Sequence, residues 1–191
     1  HILRHPGLPL VEEPTPERLR AALEGHGVVT VGTVFRGDKL SGAGTPEELR
    51  RAADVVLVEA DGAKRLPLKA PAEYEPVIPP CAAAVAAVAG MDAVGQAVGA
   101  VCHRPERVCA LLGAGAEHVL TPEDVALLLA NPQGGRKGVG RAMAFRCVLN
   151  KADTPERAAH ASAVAGRLAE RGIHSAITYY REEERGGLCW F

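Results

Sequence analysis

The sequence predicts an α/β fold with a mostly parallel sheet and helices on both faces of that sheet. Short apolar runs alternate along the chain with segments whose apolar residues recur at helical spacing. The apolar runs are nearly continuous, which is typical of strands that are covered on both sides. The predicted strands comprise residues 28–34, 55–60, 83–89, 145–149 and 174–180.

Four predicted helices begin at the same tripeptide, Thr-Pro-Glu, which occurs at Thr15, Thr45, Thr121 and Thr154. The Thr hydroxyl can accept from the free N–H groups of a first helical turn, and Pro is favoured at the first helical position. Glu interacts favourably with the positive end of the helix dipole. At Thr45 the sequence also predicts a capping box, because Glu48 follows three residues later.

The length of 191 residues predicts a single domain in which two segments interrupt the strand–helix alternation. Residues 62–82 contain five prolines and predict a loop that lies beyond the carboxyl end of a strand. Residues at about 100–141 are predicted to form a helical and glycine-rich insertion. Its end, residues 131–141, is predicted to be a flexible, basic loop.

Composition argues against several classes of function. A net charge of −1 and an aromatic content of 4% give no indication of nucleic-acid binding. The five cysteines include no Cys-x-x-Cys pair, so a reducing, cytoplasmic location is predicted rather than a disulfide framework. Asp92 and Gln96 interrupt the apolar run at 81–101, which therefore predicts a buried strand followed by turns or a helix, and no membrane association.

An acidic and then basic segment begins at the end of the predicted strand at 55–60 and continues beyond it. Ligands of open α/β sheets bind beyond the carboxyl ends of strands, so Glu59 and Asp61 are candidate catalytic residues and Mg²⁺ ligands. An alternative is a solvated cluster of ion pairs, each worth about 0–1 kcal/mol. The cations that follow are candidate phosphate or anion ligands: Lys64, Arg65 and Lys69.

A second motif, Asn150-Lys151-Ala152-Asp153, follows a predicted strand and precedes a helix start. It has the N-K-x-D form that binds guanine in GTP-binding proteins. A carboxylate at Asp153 can accept from both N1–H and the 2-amino group of guanine, whereas adenine has an acceptor at N1. The motif therefore favours GTP over ATP. The alternative is that Asp153 or Thr154 only caps the next helix.

A phosphate-binding loop of the form G-x-x-x-x-G-K-[ST] does not occur in this sequence. The segment Glu59-Ala60-Asp61-Gly62 is similar to the D-x-x-G element of GTP-binding proteins, with Glu in the first position. Arg136 and Lys137, in the glycine-rich segment GGRKGVG, are further candidates for binding a phosphate or another anion.

Four segments follow one another along the chain: VVLVEADGAKRLPLKAPAEYEPVIP, LTPEDVALLL, GGRKG and VLNKAD. In sequence and in order, they resemble the YqeC family of selenium-dependent hydroxylase accessory proteins. The resemblance implies a P-loop NTPase-like fold whose first strand and P-loop precede this sequence. It also implies a role in the maturation of selenium-dependent molybdenum hydroxylases, with selenium-donor or molybdenum-cofactor proteins as partners.

Two functions are compatible with these features. The first is a nucleotide-binding accessory protein that uses GTP and Mg²⁺, with GTPase-like hydrolysis left open. The second is a non-catalytic scaffold in the same pathway, in which Lys64, Arg65 and Lys69 bind an anion such as selenophosphate or the phosphate of the pterin cofactor. A kinase or nucleotidyltransferase that acts on a small substrate is a third alternative.

Overall fold

The structure is a computed structural model, and it describes residues 7–36, 39–180 and 187–190. The described residues divide into two compact units. The first comprises the residues up to Gly62 together with Pro79–Cys81, and the second comprises Ala63–Ile78 and the residues from Ala82 onward. The single domain remains a prediction.

The first unit contains two pairs of short strands and two helices. Strands β1 and β2 are parallel neighbours connected through helix α1, whereas β3 and β4 form an antiparallel pair. The elements are β1 (Leu10–Val11), α1 (Pro16–His26), β2 (Thr30–Val31), β3 (Thr33–Arg36), β4 (Lys39–Ser41) and α2 (Pro46–Leu49).

The strand predicted at 55–60 does not form. These residues adopt neither strand nor helix, and Val55 and Leu57 are 73% and 86% exposed. A strand is stabilised by the hydrogen bonds of a neighbouring strand, and no residue within the described ranges pairs with this run in a sheet. The prediction that a strand brings Glu59 and Asp61 to a sheet edge is therefore wrong, while their chemical roles remain predictions.

The second unit is built on a four-stranded sheet in the order β10-β9-β8-β6. Strands β6, β8 and β9 are parallel, and β10 is antiparallel to β9. This confirms the strands predicted at 83–89, 145–149 and 174–180. A separate parallel pair, β5 with β7, lies within the same unit. The strands are β5 (Leu68–Lys69), β6 (Ala84–Gly90), β7 (Cys102–His103), β8 (Ala144–Asn150), β9 (Ser175–Tyr179) and β10 (Gly187–Trp190).

Two helices of the second unit, α5 and α6, begin where the sequence predicts. Thr121 and Thr154 cap α5 and α6 through their hydroxyl groups. In the first unit, Thr15 caps α1 and Thr45 forms the predicted capping box with Glu48. The helices of the second unit are a 3₁₀ helix (Met91–Ala93), α3 (Val98–Val101), α4 (Pro105–Leu112), α5 (Pro122–Ala130) and α6 (Pro155–Ala169).

Among the described residues of the second unit, helices cover one face of the main sheet. Alternate residues of β8, including Cys147 and Leu149, are buried in one core with Val164 and Leu168 of α6. On the opposite face of β6, Val88 is 59% exposed. The nearly continuous apolar pattern that suggested two covered faces arises here mainly from alanine, which adds little apolar area to either face.

Contacts within the second unit hold parts of both predicted loops. Residues 62–82 contain only the short strand β5, and residues 131–141 form consecutive turns. The Gly134 N–H donates to the carbonyl of Asn131 at 2.9 Å, and the Gly135 N–H donates to that of Leu128 at 2.9 Å. The glycine-rich loop thus packs against the end of α5. Within the described ranges, no helix has both the length and the apolar character needed to cross a membrane.

Candidate functional site

The N-K-x-D segment lies at the carboxyl edge of the main sheet. Strands β6 and β8 are parallel, and their last residues, Gly90 and Asn150, are paired opposite each other. The residues after Asn150 therefore leave the sheet at the edge where ligands of open α/β sheets bind. This placement of residues 150–153 agrees with the sequence prediction.

The end of β9 orients Asn150 and Asp153, two of the three residues that are predicted to bind a base, the third being Lys151. The Thr178 hydroxyl donates to Asn150 Oδ1 at 2.9 Å, and the Tyr180 N–H donates to Asp153 Oδ1 at 2.9 Å. The Ala152 N–H also donates to the Thr178 carbonyl at 3.1 Å. Residues 150–153 are thus fixed by three hydrogen bonds to a neighbouring strand end, which preorganises their polar groups.

The structure separates the roles of Asp153 and Thr154. The Thr154 hydroxyl caps α6 by accepting from the Arg157 N–H at 3.2 Å. Asp153 does not cap the helix, and its Oδ2 lies 3.7 Å from the guanidinium of Arg157. The side chain of Asp153 is 31% exposed, so it is not sealed off from solvent.

Lys151 connects this loop to the end of β6. Its backbone has φ of 62°, and its Nζ lies 2.7 Å from Asp92 Oδ2. Gly90 leaves room for this contact, because a Cβ there would lie 2.4 Å from Asp92 Oδ1 and 2.8 Å from Pro67 Cβ. The Gly90 N–H donates to the Pro67 carbonyl at 2.8 Å. The end of β6, the loop after β8 and the proline-rich loop therefore meet at this edge of the sheet.

A small polar cavity of about 150 Å³ lies beside Asp92. Two buried polar atoms of its lining, Asp92 Oδ1 and His160 Nδ1, have no hydrogen-bond partner within the described part of the chain. Gln96, Glu156 and Arg157 complete the polar lining. A larger cleft, in the first unit, is lined by residues of β1 and α1 and contains none of the predicted site residues.

The predicted anion ligands fall into two groups. Lys64 and Arg65 are exposed, and their φ angles of 51° and 65° are in the left-handed region. Lys69 is largely buried, and its Nζ lies 2.7 Å from Glu75 Oε2. Arg104 approaches the same oxygen at 2.7 Å. Lys69 therefore neutralises a carboxylate in this structure.

Glu75 is the centre of this ion-pair cluster. Burial alone would raise its pKa, but hydrogen bonds from Lys69 and Arg104 lower the pKa to about 2. Arg104 also donates to the Tyr74 hydroxyl at 3.1 Å and lies over its ring. The cluster connects the proline-rich loop to the start of α4. Sequence reasoning missed it, although Arg104-Pro105-Glu106 follows the pattern of the helix starts, with Arg in place of Thr.

Arg136 and Lys137 do not join residues 150–153. Arg136 lies over the ring of Phe145, 5.5 Å from the centroid and near the amino end of β8, whereas Asn150 is at its carboxyl end. Lys137 Nζ donates to the carbonyls of Ala72 and Glu73, the latter at 3.0 Å. In this structure, both side chains stabilise loop and strand contacts.

Glu59 and Asp61 belong to the first unit, where Glu59 is exposed and Asp61 is half-buried. The site formed by residues of the second unit therefore does not include them. No group of three or more His, Cys, Asp and Glu side chains suited to a metal ion occurs in the part of the chain that the structure describes. The Mg²⁺ ligands remain a prediction.

Comparison with known proteins identifies the family. The family described as YqeC protein matches residues 4–106, more than half of the chain. The chain belongs to the YqeC family. The matched segment includes Glu59, Lys64 and Arg104 but ends before the N-K-x-D loop.

A YqeC protein of Escherichia coli (strain K12), described as uncharacterized protein YqeC, is similar to this chain. The two are 38% identical over 101 residues, which is 50% of this chain and 40% of the E. coli protein. The match therefore spans about two-fifths of the length of that relative. No solved structure matches the chain.

Proposed function

We propose that this YqeC-family protein binds a guanine nucleotide and holds the base with residues 150–153. The observation that carries the proposal is the orientation of Asp153. Its Oδ1 accepts from the Tyr180 N–H, and its side chain is 31% exposed at the carboxyl edge of a parallel sheet. A fixed carboxylate at this edge can accept from the two adjacent N–H groups of guanine.

The remaining parts of the proposal extend the sequence predictions. The fold is P-loop NTPase-like, and Glu59 and Asp61 bind Mg²⁺ and contribute to catalysis if the nucleotide is hydrolysed. Their carboxylates are of the ligand type that Mg²⁺ prefers, and Mg²⁺ commonly takes one or two carboxylates together with waters and phosphates. The proposal also includes the accessory role in the maturation of selenium-dependent molybdenum hydroxylases that the resemblance to the YqeC family implies.

Base recognition is tested by substituting Asp153 with asparagine. The wild-type chain should bind GTP more tightly than ATP. D153N should bind GTP about tenfold or more weakly, because the asparagine NH₂ would face the 2-amino group of guanine. The same NH₂ can donate to the 2-oxo group of xanthine, so D153N should bind XTP more tightly than the wild type does. Calorimetric titration of the full chain with GTP, ATP and XTP measures these affinities.

E156Q is the matched control for this substitution. Glu156 is an exposed carboxylate on the first turn of the same helix, and its substitution removes the same charge three residues away. We expect the affinity of E156Q for GTP to be unchanged. Equal affinities for GTP and ATP that D153N does not alter would contradict the proposal.

A further inference from the structure

The second unit contains a cationic surface around Lys64, Arg65 and the start of α4. We propose that Lys64, with Arg65, His103 and Arg104, forms a binding site for a tetrahedral oxyanion, either free phosphate or the phosphate tail of a nucleotide. This site goes beyond base recognition. It does not depend on the guanine specificity of residues 150–153.

Strand pairing brings the basic groups of this surface together. Lys69 of β5 is paired opposite His103 of β7, and Arg104 follows directly. Lys69 and Arg104 then meet at one carboxylate, where each lies 2.7 Å from Glu75 Oε2. Two cations thus share a single negative charge, which leaves an excess of positive charge at this point.

The pKa of the His103 imidazole is sensitive to the charges around it. Burial lowers the pKa of its imidazole, and the nearby cations Arg104, Lys69 and Lys64 lower the pKa further, whereas Glu75 acts in the opposite direction. The direction of this shift agrees with the strand pairing that places Lys69 opposite His103, with Arg104 next to it in the chain. A bound anion would experience the same field as an attraction.

Lys64 is the side chain that is most available to a ligand. It is exposed, and no carboxylate within the described ranges forms an ion pair with it. The φ angles of Lys64 and Arg65, 51° and 65°, lie in the left-handed region, which is unfavourable for residues other than glycine. Such backbone outliers concentrate at ligand-binding sites, where the side chain is retained for its chemistry.

The loop that carries Lys64 is close to the proposed base site. Its end is attached to the sheet edge by the hydrogen bond from Gly90 N–H to the Pro67 carbonyl, 2.8 Å long. Gly90 is also the residue against which Lys151 packs. An oxyanion at Lys64 could therefore be a separate small ligand or part of a nucleotide, and the experiment has to distinguish the two.

The variant K64G separates binding from stability. Glycine adopts a φ of 51° without steric cost, so the melting temperature of K64G should not be lower than that of the wild type. Its affinity for inorganic pyrophosphate should be about tenfold lower, because a charged hydrogen-bond donor is lost. A residue with only a structural role would change stability and leave the affinity for pyrophosphate unchanged.

Titrations of the full chain with pyrophosphate, GTP and guanosine identify the source of the anion. If K64G weakens binding of pyrophosphate and GTP but not of guanosine, the site takes the nucleotide tail. If only pyrophosphate binding is weakened, the site takes a free oxyanion. In either case, pyrophosphate should raise the pKa of His103 in NMR titrations, and D153N should bind pyrophosphate as the wild type does.

R141Q is the matched control, because Arg141 is an exposed cation in the glycine-rich loop. Its substitution should leave the affinity for pyrophosphate unchanged. The proposed site is ruled out if the wild type does not bind pyrophosphate, or if K64G and the wild type bind it equally. It is also ruled out if R141Q weakens binding as much as K64G does.

Discussion

Replacing Glu75 with glutamine is expected to lower the free energy of unfolding by about 3 kcal/mol, the usual cost of removing one partner from a largely buried ion pair. The Glu75 side chain is only 14% exposed, and it accepts from Lys69, Arg104 and the Ala72 N–H. Without its charge, two cations with side chains 12% and 20% exposed would face each other unneutralised. Urea unfolding followed by circular dichroism measures the change.

E73Q is the control for this prediction. Glu73 is exposed two residues away, and only its carbonyl takes part in the contact with Lys137. Its substitution should change the free energy of unfolding by less than about 0.5 kcal/mol. Equal midpoints for E75Q and E73Q would show that the cluster contributes no net stability.

The same cluster predicts a dependence of stability on pH. The pKa of Glu75 is lowered from 4.5 to about 2, so the folded state binds this proton less readily than the unfolded state does. The resulting stabilisation is complete above pH 4.5 and is lost as the pH falls toward 2. The stability difference between wild type and E75Q should therefore be largest near neutral pH and should shrink through this range. A difference that is constant with pH would contradict the assignment.

Local chemistry made the helix starts predictable. At each Thr-Pro-Glu the hydroxyl, the proline and the carboxylate act within one turn, so the signal is complete in the sequence itself. The structure shows Thr15, Thr45, Thr121 and Thr154 as the caps of their helices. The loop after β8 was predictable for a similar reason, because an apolar strand runs directly into Asn150 and a helix start.

Strand formation was predictable only where a partner exists. The runs at 83–89, 145–149 and 174–180 pair with one another in parallel. The run at 55–60 has at least as strong a strand composition, yet it forms no strand. Its composition indicates what could pair but not whether a neighbouring strand is present. This is why the placement of Glu59 and Asp61 at a sheet edge failed.

The contacts that hold the site together could not be read from the sequence, because their partners are far apart in the chain. Asn150 and Thr178 are 28 residues apart, and Glu75 and Arg104 are 29 residues apart. The topology of the sheet brings the first pair together, and the pairing of β5 with β7 brings the second. The sequence indicated the candidate site residues, whereas the contacts that orient them required the fold.

Replacing Gly134 with alanine is expected to destabilise the chain by about 3 kcal/mol through overpacking. A Cβ at this position would lie 2.2 Å from the carbonyl oxygen of Leu128, a backbone atom of α5 next to a core side chain only 2% exposed. The added Cβ and the Leu128 carbonyl oxygen can separate only if the loop or the helix is displaced. At Gly140, in the same loop, an added Cβ would meet Met143 at 3.5 Å, so G140A should unfold at nearly the wild-type urea concentration. If G134A unfolds there as well, the close packing of this loop on α5 is refuted.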